Sequence, residues 1–112
     1  MNKNIKLFSG SSHPILGKEI ADYLGINLSE ISLSKFKCGE VYSSIPETIR
    51  GQDIFIIQTS TGNVNDDYME LFVIMDSMRR ASANSINVIL PHFGYSRQDK
   101  KSAPREPISA KL

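Results

Sequence analysis

The chain has 112 residues, of which 40% are hydrophobic and 22% charged, and its formal net charge is +1. This composition is typical of one globular domain and excludes disordered and low-complexity classes. The small net charge and apolar runs far shorter than the ~20 residues of a membrane span predict neither nucleic acid nor a membrane as partner. The single cysteine, Cys38, cannot form an internal disulfide, so we expect a reducing, cytoplasmic location.

Positive charge is concentrated at the C-terminal end of the sequence. From Arg97 onward there are five lysines and arginines against two acidic residues. A local basic segment on a nearly neutral body favours a small anionic ligand over a nucleic-acid duplex. A solvated tail would explain the same charges equally well.

The first half of the sequence predicts a strand, a helix, a hairpin and a buried strand. The strand covers residues 6–9, and the helix starts near Pro14, with Ser12 or His13 as its cap and Gly25 as its end. Two short candidate strands predict a hairpin at about residues 31–45. A continuous apolar run within residues 53–58 predicts a strand that is buried on both faces.

The second half continues the alternation of helix and strand. We predict a helix over residues 65–82 with Asn65 as its cap, a strand over residues 86–90 and a further helical pattern from Pro107. Apolar residues cover more than one stripe of the 65–82 helix, which predicts burial on two sides, between layers or at a subunit interface. The alternation predicts an α/β fold with a mainly parallel sheet.

Ligands of such sheets bind at the carboxyl ends of the strands, here residues 9–12, 59–63 and 93–99. Ser11 and Ser12 precede a helix N-terminus and could hold an anion, or they simply cap a turn. Arg97 offers a bidentate fork for phosphate, and Gln98 adds directional hydrogen bonds. The 93–101 segment therefore indicates nucleotide or phosphate binding, with a solvated loop as the alternative. Neither histidine lies at metal-ligand spacing, so no metal ligand is expected in this chain.

Several motifs along the sequence are those of one enzyme family. They are KLFSGSSH from Lys6, IRGQDIFIIQ from Ile49, RRASA from Arg79, FGYSRQDKK from Phe93 and PISAKL from Pro107. On these motifs the chain resembles the N-terminal part of ribose-phosphate pyrophosphokinase. The resemblance implies a three-layer α/β fold of phosphoribosyltransferase-like type with a projecting hairpin. It also implies Mg²⁺-dependent transfer of the ATP diphosphoryl group to ribose 5-phosphate, which yields phosphoribosyl pyrophosphate and AMP for nucleotide biosynthesis.

The same resemblance implies that residues 1–112 form an N-terminal domain that is incomplete at its C-terminal end. The second domain, the Mg²⁺ ligands and the catalytic loops would lie beyond residue 112. We therefore expect no catalytic residue within this chain and no activity of the chain by itself. The alternatives are a non-catalytic, synthetase-associated subunit that binds nucleotide and regulates, and a free nucleotide-binding α/β module.

The resemblance also assigns ATP contacts residue by residue. Phe36, at the hairpin, would stack on the adenine bound by a neighbouring subunit, and Glu40 would contact the adenine amino group. Arg97 would clamp phosphate and base, and Gln98 would also contact ATP. Sharing a site in this way implies a homo-oligomer based on dimers, with a hexamer as one form.

An allosteric phosphate or ADP site is implied at Thr48, Arg50 and Ser82, and residues 100–106 match a regulatory loop. Three positions depart from the family pattern. Cys38 and Ser102 each stand where an aspartate is common, and Glu106 stands where alanine is usual. We expect these departures to alter contacts to the nucleotide and to weaken the positive charge of the loop.

Overall fold

The computed structural model describes residues 4–112, in which strands and helices alternate as the sequence predicts. The elements are β1 (Ile5–Ser9), α1 (Pro14–Leu24), β2 (Ser32–Lys35), β3 (Val41–Ser44), β4 (Asp53–Ile57), α2 (Val64–Arg80) and β5 (Ser85–Ile89). The predicted bounds of the strands differ from these by one or two residues, which is the usual uncertainty at element ends.

A parallel sheet with the strand order β1-β4-β5 forms the centre of the described residues. At its carboxyl end Ser9 lies opposite Ile57, and Ile57 lies opposite Ile89. Strands β2 and β3 pair antiparallel as a separate hairpin, which confirms the predicted one. Because the three central strands run the same way, the loops that follow them leave from one edge of the sheet.

Apolar side chains alternate across the sheet and divide the core in two. On one face Leu7 and Ile57 pack with Ala21 of α1. On the other face Ile54 and Ile56, both fully buried, form a cluster that is completed by residues of β1 and α2, namely Phe8, Leu71, Ile74 and Met78. The sheet therefore lies between two helical layers, which confirms the three-layer α/β fold and a strand β4 that is buried on both faces.

Helix α1 begins and ends as predicted. His13 is its N-cap, and its Nδ1 accepts a hydrogen bond from the amide of Leu16 at 3.0 Å. Gly25 ends the helix with φ 71°, a left-handed conformation that costs glycine little because it has no Cβ. Of the two predicted caps, His13 is therefore the one observed.

Helix α2 begins earlier and ends earlier than predicted. Its N-cap is Asn63 rather than Asn65. The side chain of Asp67 accepts hydrogen bonds from the amide and hydroxyl of Thr61 at 2.8 and 2.7 Å, and so holds the preceding loop against the first turn. Ser82 lies beyond the last helical residue with φ 65°.

Two-sided burial of α2, which the sequence predicts between layers or at a subunit interface, is seen on one side within this chain. Its buried face contacts the sheet, and the hairpin extends the contact through a hydrogen bond between the hydroxyls of Ser43 and Ser77. Met69 and Phe72, however, each keep 55% of their surface exposed. The stripe that suggested a second buried side is thus open in this chain.

The helical pattern from Pro107 does not form a helix. Residues 109–111 form a turn in which the amide of Lys111 donates to the carbonyl of Ile108 at 3.1 Å. A single turn gains too few hydrogen bonds to offset the cost of helix nucleation. Over residues 4–112, no helix has both the length and the apolar character that crossing a membrane requires.

Candidate functional site

The loops after β1, β4 and β5 are joined by hydrogen bonds at the carboxyl edge of the sheet. The hydroxyl of Ser12 donates to Gln58 Oε1 at 2.6 Å, and the amide of Thr59 donates to that same hydroxyl at 3.0 Å. The amide of His92 then donates to Thr59 Oγ1 at 3.1 Å. The three loops that the sequence placed at one edge therefore form one connected unit.

Gln58 lies at the centre of this unit, and only 2% of it is exposed. Its Nε2 donates to the carbonyl of Asp67 at 3.1 Å and to Glu70 Oε2 at 2.7 Å, while Oε1 accepts from Ser12. Both amide hydrogens and the amide oxygen are therefore used. A buried polar group that loses its partner costs about 1–3 kcal/mol, so this side chain strongly fixes the loop after β1 and helix α2 to the end of β4.

The loop that could have held an external anion is already paired with a carboxylate of the same chain. The amide of Ser11 donates to Glu70 Oε2 at 2.8 Å, and its hydroxyl donates to Glu70 Oε1 at 2.6 Å. The donors at this loop are thus satisfied internally. We call Ser11, Ser12, Gln58, Thr59 and Glu70 the strand-end network.

Arg97 follows this edge on the segment after β5, and its side chain is exposed. No other residue between 4 and 112 forms a salt bridge or a hydrogen bond with its guanidinium group. Gln98 is held differently: its Oε1 accepts from the hydroxyl of Ser109 at 2.7 Å, and its carbonyl accepts from the amide of Ala110 at 3.1 Å. Arg97 is thus open to an anion, whereas Gln98 joins its segment to the C-terminal turn.

Phe36 and Glu40 lie together on residues 36–40, which we call the hairpin tip. The amide of Phe36 donates to the carbonyl of Glu40 at 2.8 Å, and Cys38 Sγ donates to Glu40 Oε1 at 3.0 Å. Phe36 is 56% exposed, and its ring meets that of Tyr42 edge to face at 5.7 Å between centroids. Among the described residues, no hydrogen bond or ring contact links the tip to Arg97 or Gln98.

Thr48, Arg50 and Ser82 lie at the opposite, amino-terminal edge of the sheet, and all three are exposed. The amide of Gly51 donates to the carbonyl of Ser82 at 3.0 Å, which brings Arg50 close to Ser82. The sequence-predicted site residues thus fall into three places: the carboxyl edge, the hairpin tip and the amino edge.

The carboxylates near the carboxyl edge do not fit a resident Mg²⁺ site. Asp66 pairs with Lys35 at 3.7 Å, Asp67 accepts from Thr61, and Glu70 accepts from Ser11 and Gln58. Within residues 4–112, no group of three or more histidine, cysteine, aspartate or glutamate side chains is placed to hold a metal ion. Each of these carboxylates already has a donor within the protein.

Gln58 and Glu70 are the residues that the sequence analysis missed. One signal was present: Gln58 directly follows the apolar run of β4, so a strand that enters the core ends on a buried polar side chain. Such a side chain requires partners. Its partner Glu70 comes from α2, twelve residues away, and nothing in the local sequence identifies it.

Comparison with known proteins gives the same family throughout. The family model described as the N-terminal domain of ribose phosphate pyrophosphokinase matches residues 5–112. The ribose-phosphate pyrophosphokinase of Helicobacter pylori is 54% identical over 110 residues, which are 98% of this chain and 35% of that protein. The protein of the same name from Bacillus subtilis is 50% identical over 111 residues, again 35% of its length.

A solved structure shows the same fold. The crystal structure of phosphoribosylpyrophosphate synthetase from Mycobacterium smegmatis superimposes with a TM-score of 0.95 at 39% identity, over 98% of this chain and 37% of that one. The chain thus spans about a third of the length of the relatives that it matches. Since the family model covers nearly all of the sequence, the chain belongs to the family of the N-terminal domain of ribose phosphate pyrophosphokinase.

Proposed function

We propose that this chain is the ATP-side part of a ribose-phosphate diphosphokinase. In that reaction O1 of ribose 5-phosphate attacks the β-phosphorus of ATP, the bond from that phosphorus to the α,β-bridging oxygen breaks, and AMP leaves. The products are phosphoribosyl pyrophosphate and AMP. Magnesium enters the proposal as the ion that ATP carries, and no residue described here is assigned to it.

The observation that carries the proposal is the state of Arg97. Its guanidinium is exposed and unpaired within the described residues. The backbone that leads into Arg97 is fixed to the carboxyl edge of the sheet by the hydrogen bond from the amide of His92 to Thr59. The fixed backbone before Arg97 limits the positions that its guanidinium can reach, and a charged donor group of this kind stabilises the negative charge of a polyphosphate. The family to which the chain belongs supplies the identity of that polyphosphate.

We further propose that Phe36 and Glu40 serve the ATP of a neighbouring subunit, Phe36 by stacking on adenine and Glu40 by accepting from its amino group. The exposed ring and its backing by Tyr42 support this role. No hydrogen bond or ring contact joins the tip to Arg97, which agrees with a site that takes the tip from a second copy, in a homo-oligomer based on dimers. Gln98 would contribute to ATP binding through the amide nitrogen that its bond to Ser109 leaves available.

Thr48, Arg50 and Ser82 would bind the phosphate of an allosteric ligand, inorganic phosphate or ADP. Their common exposure and the contact between Gly51 and Ser82 support a shared site at the amino edge. The single exposed thiol, Cys38, fits a reducing compartment, and we propose that the reaction takes place in the cytoplasm.

The nucleotide-binding proposal is tested by titrating the complete gene product with α,β-methylene-ATP and Mg²⁺ in a calorimeter. We expect Arg97→Ala to weaken binding about tenfold or more, because hydrogen bonds to charged groups contribute about 1.5–3 kcal/mol. Arg80→Ala is the matched control, since Arg80 ends α2 near the opposite edge and pairs with Asp76. Equal affinities of the Arg97 variant and the control would contradict the proposal.

The inactivity of the chain by itself is tested separately, with residues 1–112 alone, ATP, Mg²⁺ and ribose 5-phosphate. Because these residues span 35% of the matched relatives, we expect no release of AMP above the blank. Release of AMP that Arg97→Ala abolishes would contradict this expectation.

A further inference from the structure

The segment of residues 91–96, which leads into Arg97, is held against helix α2 by aromatic side chains. The hydroxyl of Tyr68 donates to the carbonyl of Gly94 at 2.9 Å. The ring of Tyr68 lies 6.4 Å from that of Phe93 and 6.2 Å from that of Tyr95, centroid to centroid. One side chain of α2 therefore contacts three consecutive residues of the segment.

The backbone of residues 91–96 has a conformation that allows this close contact with Tyr68. A Cβ added at Gly94 would lie 2.8 Å from Tyr68 Cε2, 2.6 Å from Val64 Cγ2 and 2.5 Å from Ser60 Oγ, so only glycine allows so close an approach. Tyr95 has φ 66°, a left-handed conformation that a side chain other than glycine adopts only when its surroundings hold it there. Its hydroxyl donates to Asn65 Oδ1, also on α2.

Helix α2 holds the residues that make these contacts in a fixed position. Leu71, Ile74 and Met78 fix it in the core, where they are buried to 3% exposure or less. On the other side of the segment, the amide of His92 donates to Thr59 of the strand-end network. Residues 92–95 are thus held from two directions, and Arg97 is the second residue after them.

We propose that Tyr68 is a positioning residue for Arg97: its hydroxyl bond to the Gly94 carbonyl fixes the backbone from which the guanidinium group reaches the anion. This positioning role rests on the proposed function in one respect, which is that the anion is the polyphosphate of ATP. Tyr68 acts through Arg97 and does not itself touch the nucleotide.

The test is Tyr68→Phe, which removes one oxygen and keeps the ring among its aromatic neighbours. In the complete gene product we expect binding of α,β-methylene-ATP with Mg²⁺ to weaken about three- to tenfold, the range of one hydrogen bond. The amides of Ser96 and Gln98, which donate to the carbonyls of Phe93 and Tyr95, should exchange with deuterium faster, while those of β4 should not. Tyr23→Phe on α1, where Tyr23 is 92% exposed, is the matched control.

A double-mutant cycle separates positioning from general loosening of the fold. If Tyr68 acts through Arg97, Tyr68→Phe should have no further effect on affinity in an Arg97→Ala background. A general structural defect would weaken binding by the same factor in both backgrounds, and that result would overturn the proposal. Unchanged affinity of Tyr68→Phe, with Arg97→Ala weakened, would also overturn it while leaving the proposed function intact.

One further outcome bears on both the positioning role of Tyr68 and the proposed function. If Arg97→Ala itself binds α,β-methylene-ATP normally, the proposed function fails, and the positioning role toward ATP fails with it. Hydrogen exchange then still shows whether Tyr68 holds the segment, because that measurement needs no nucleotide. Failure of the positioning role and failure of the proposed function therefore give different sets of results.

Discussion

The strand-end network and the hairpin tip use their polar and aromatic groups differently. In the network, the amide of Gln58 and the carboxylate of Glu70 are bonded to partners in the same chain. At the tip, Phe36 leaves 56% of its surface exposed. The difference indicates that the network holds geometry, whereas the tip is available to a ligand. Substitutions in the two regions should therefore affect different measurements.

The largest effect on stability should come from Gln58→Leu. The apolar side chain leaves the carbonyl of Asp67 and the groups of Ser12 without their partner, at a cost of about 3 kcal/mol in the free energy of unfolding. Urea denaturation measures the change. Gln98→Leu is the control, because it makes the same substitution at an exposed position. A loss of stability of similar size in that variant would show that the bonds of Gln58 within the network have no special role in stability.

Phe36→Ala should change nucleotide affinity more than the free energy of unfolding. Because the residue is about half exposed and loses mainly its edge contact with Tyr42, the free energy of unfolding should change by no more than about 1 kcal/mol. Loss of stacking on adenine should weaken nucleotide binding by about 1–3 kcal/mol, a factor of about five to 150. Titration with α,β-methylene-ATP measures this, with Tyr23→Ala as the control for loss of an exposed ring. A destabilised protein with normal affinity would reverse our assignment of the tip.

Gly94→Ala should have an intermediate effect on both measurements. The added methyl group would press on Ser60, Val64 and Tyr68 at 2.5 to 2.8 Å, and such overpacking costs about 1–3 kcal/mol. The melting temperature should fall and ATP affinity should weaken, since the segment before Arg97 must shift. Gly62→Ala is the control, because a Cβ there meets nothing within 4 Å. Equal melting temperatures of the two variants would show that the segment is not tightly held.

The smallest effect should lie outside both regions, at Asp53. Hydrogen bonds from Asn84 and then Ser85 lower the pKa of this carboxyl below its ordinary value of 3.8. A lowered pKa in the folded state stabilises the protein above the ordinary value, and that contribution is lost as the pH falls through the folded pKa. Asn84→Ala should therefore reduce the loss of stability that accompanies a fall in pH through 3.8 and below, which thermal melts at each pH would measure. Asn27→Ala, an exposed asparagine, should leave that loss unchanged.

Local features were predicted well where the signal lies within a few residues. The apolar run of β4, the hairpin and the glycine that ends α1 all follow from backbone preference and side-chain periodicity. The N-cap of α2 was placed two residues too late, at Asn65 rather than Asn63. Asn65 is used by a tertiary contact, because its side chain accepts from the hydroxyl of Tyr95 thirty residues later.

The sequence predicted the loops of the candidate site, residues 9–12, 59–63 and 93–99, and two exposed side chains. Phe36 and Arg97 were identified through motifs, and the structure shows both exposed. Gln58, Glu70 and Tyr68 were missed as functional residues, since each acts through a partner distant in sequence: Ser12 for Gln58, Ser11 for Glu70 and Gly94 for Tyr68. Sequence periodicity reports burial, and it does not report which buried polar groups will meet.

The sequence by itself determined the family and the α/β alternation, because motifs and periodicity are local properties of the chain. Only the tertiary structure decided that the serine loop after β1 is paired with the carboxylate of Glu70, and that the segment before Arg97 is held between Thr59 and Tyr68. The physical reason is that a parallel sheet gathers the ends of strands far apart in sequence. Their hydrogen bonds exist only once the sheet has formed.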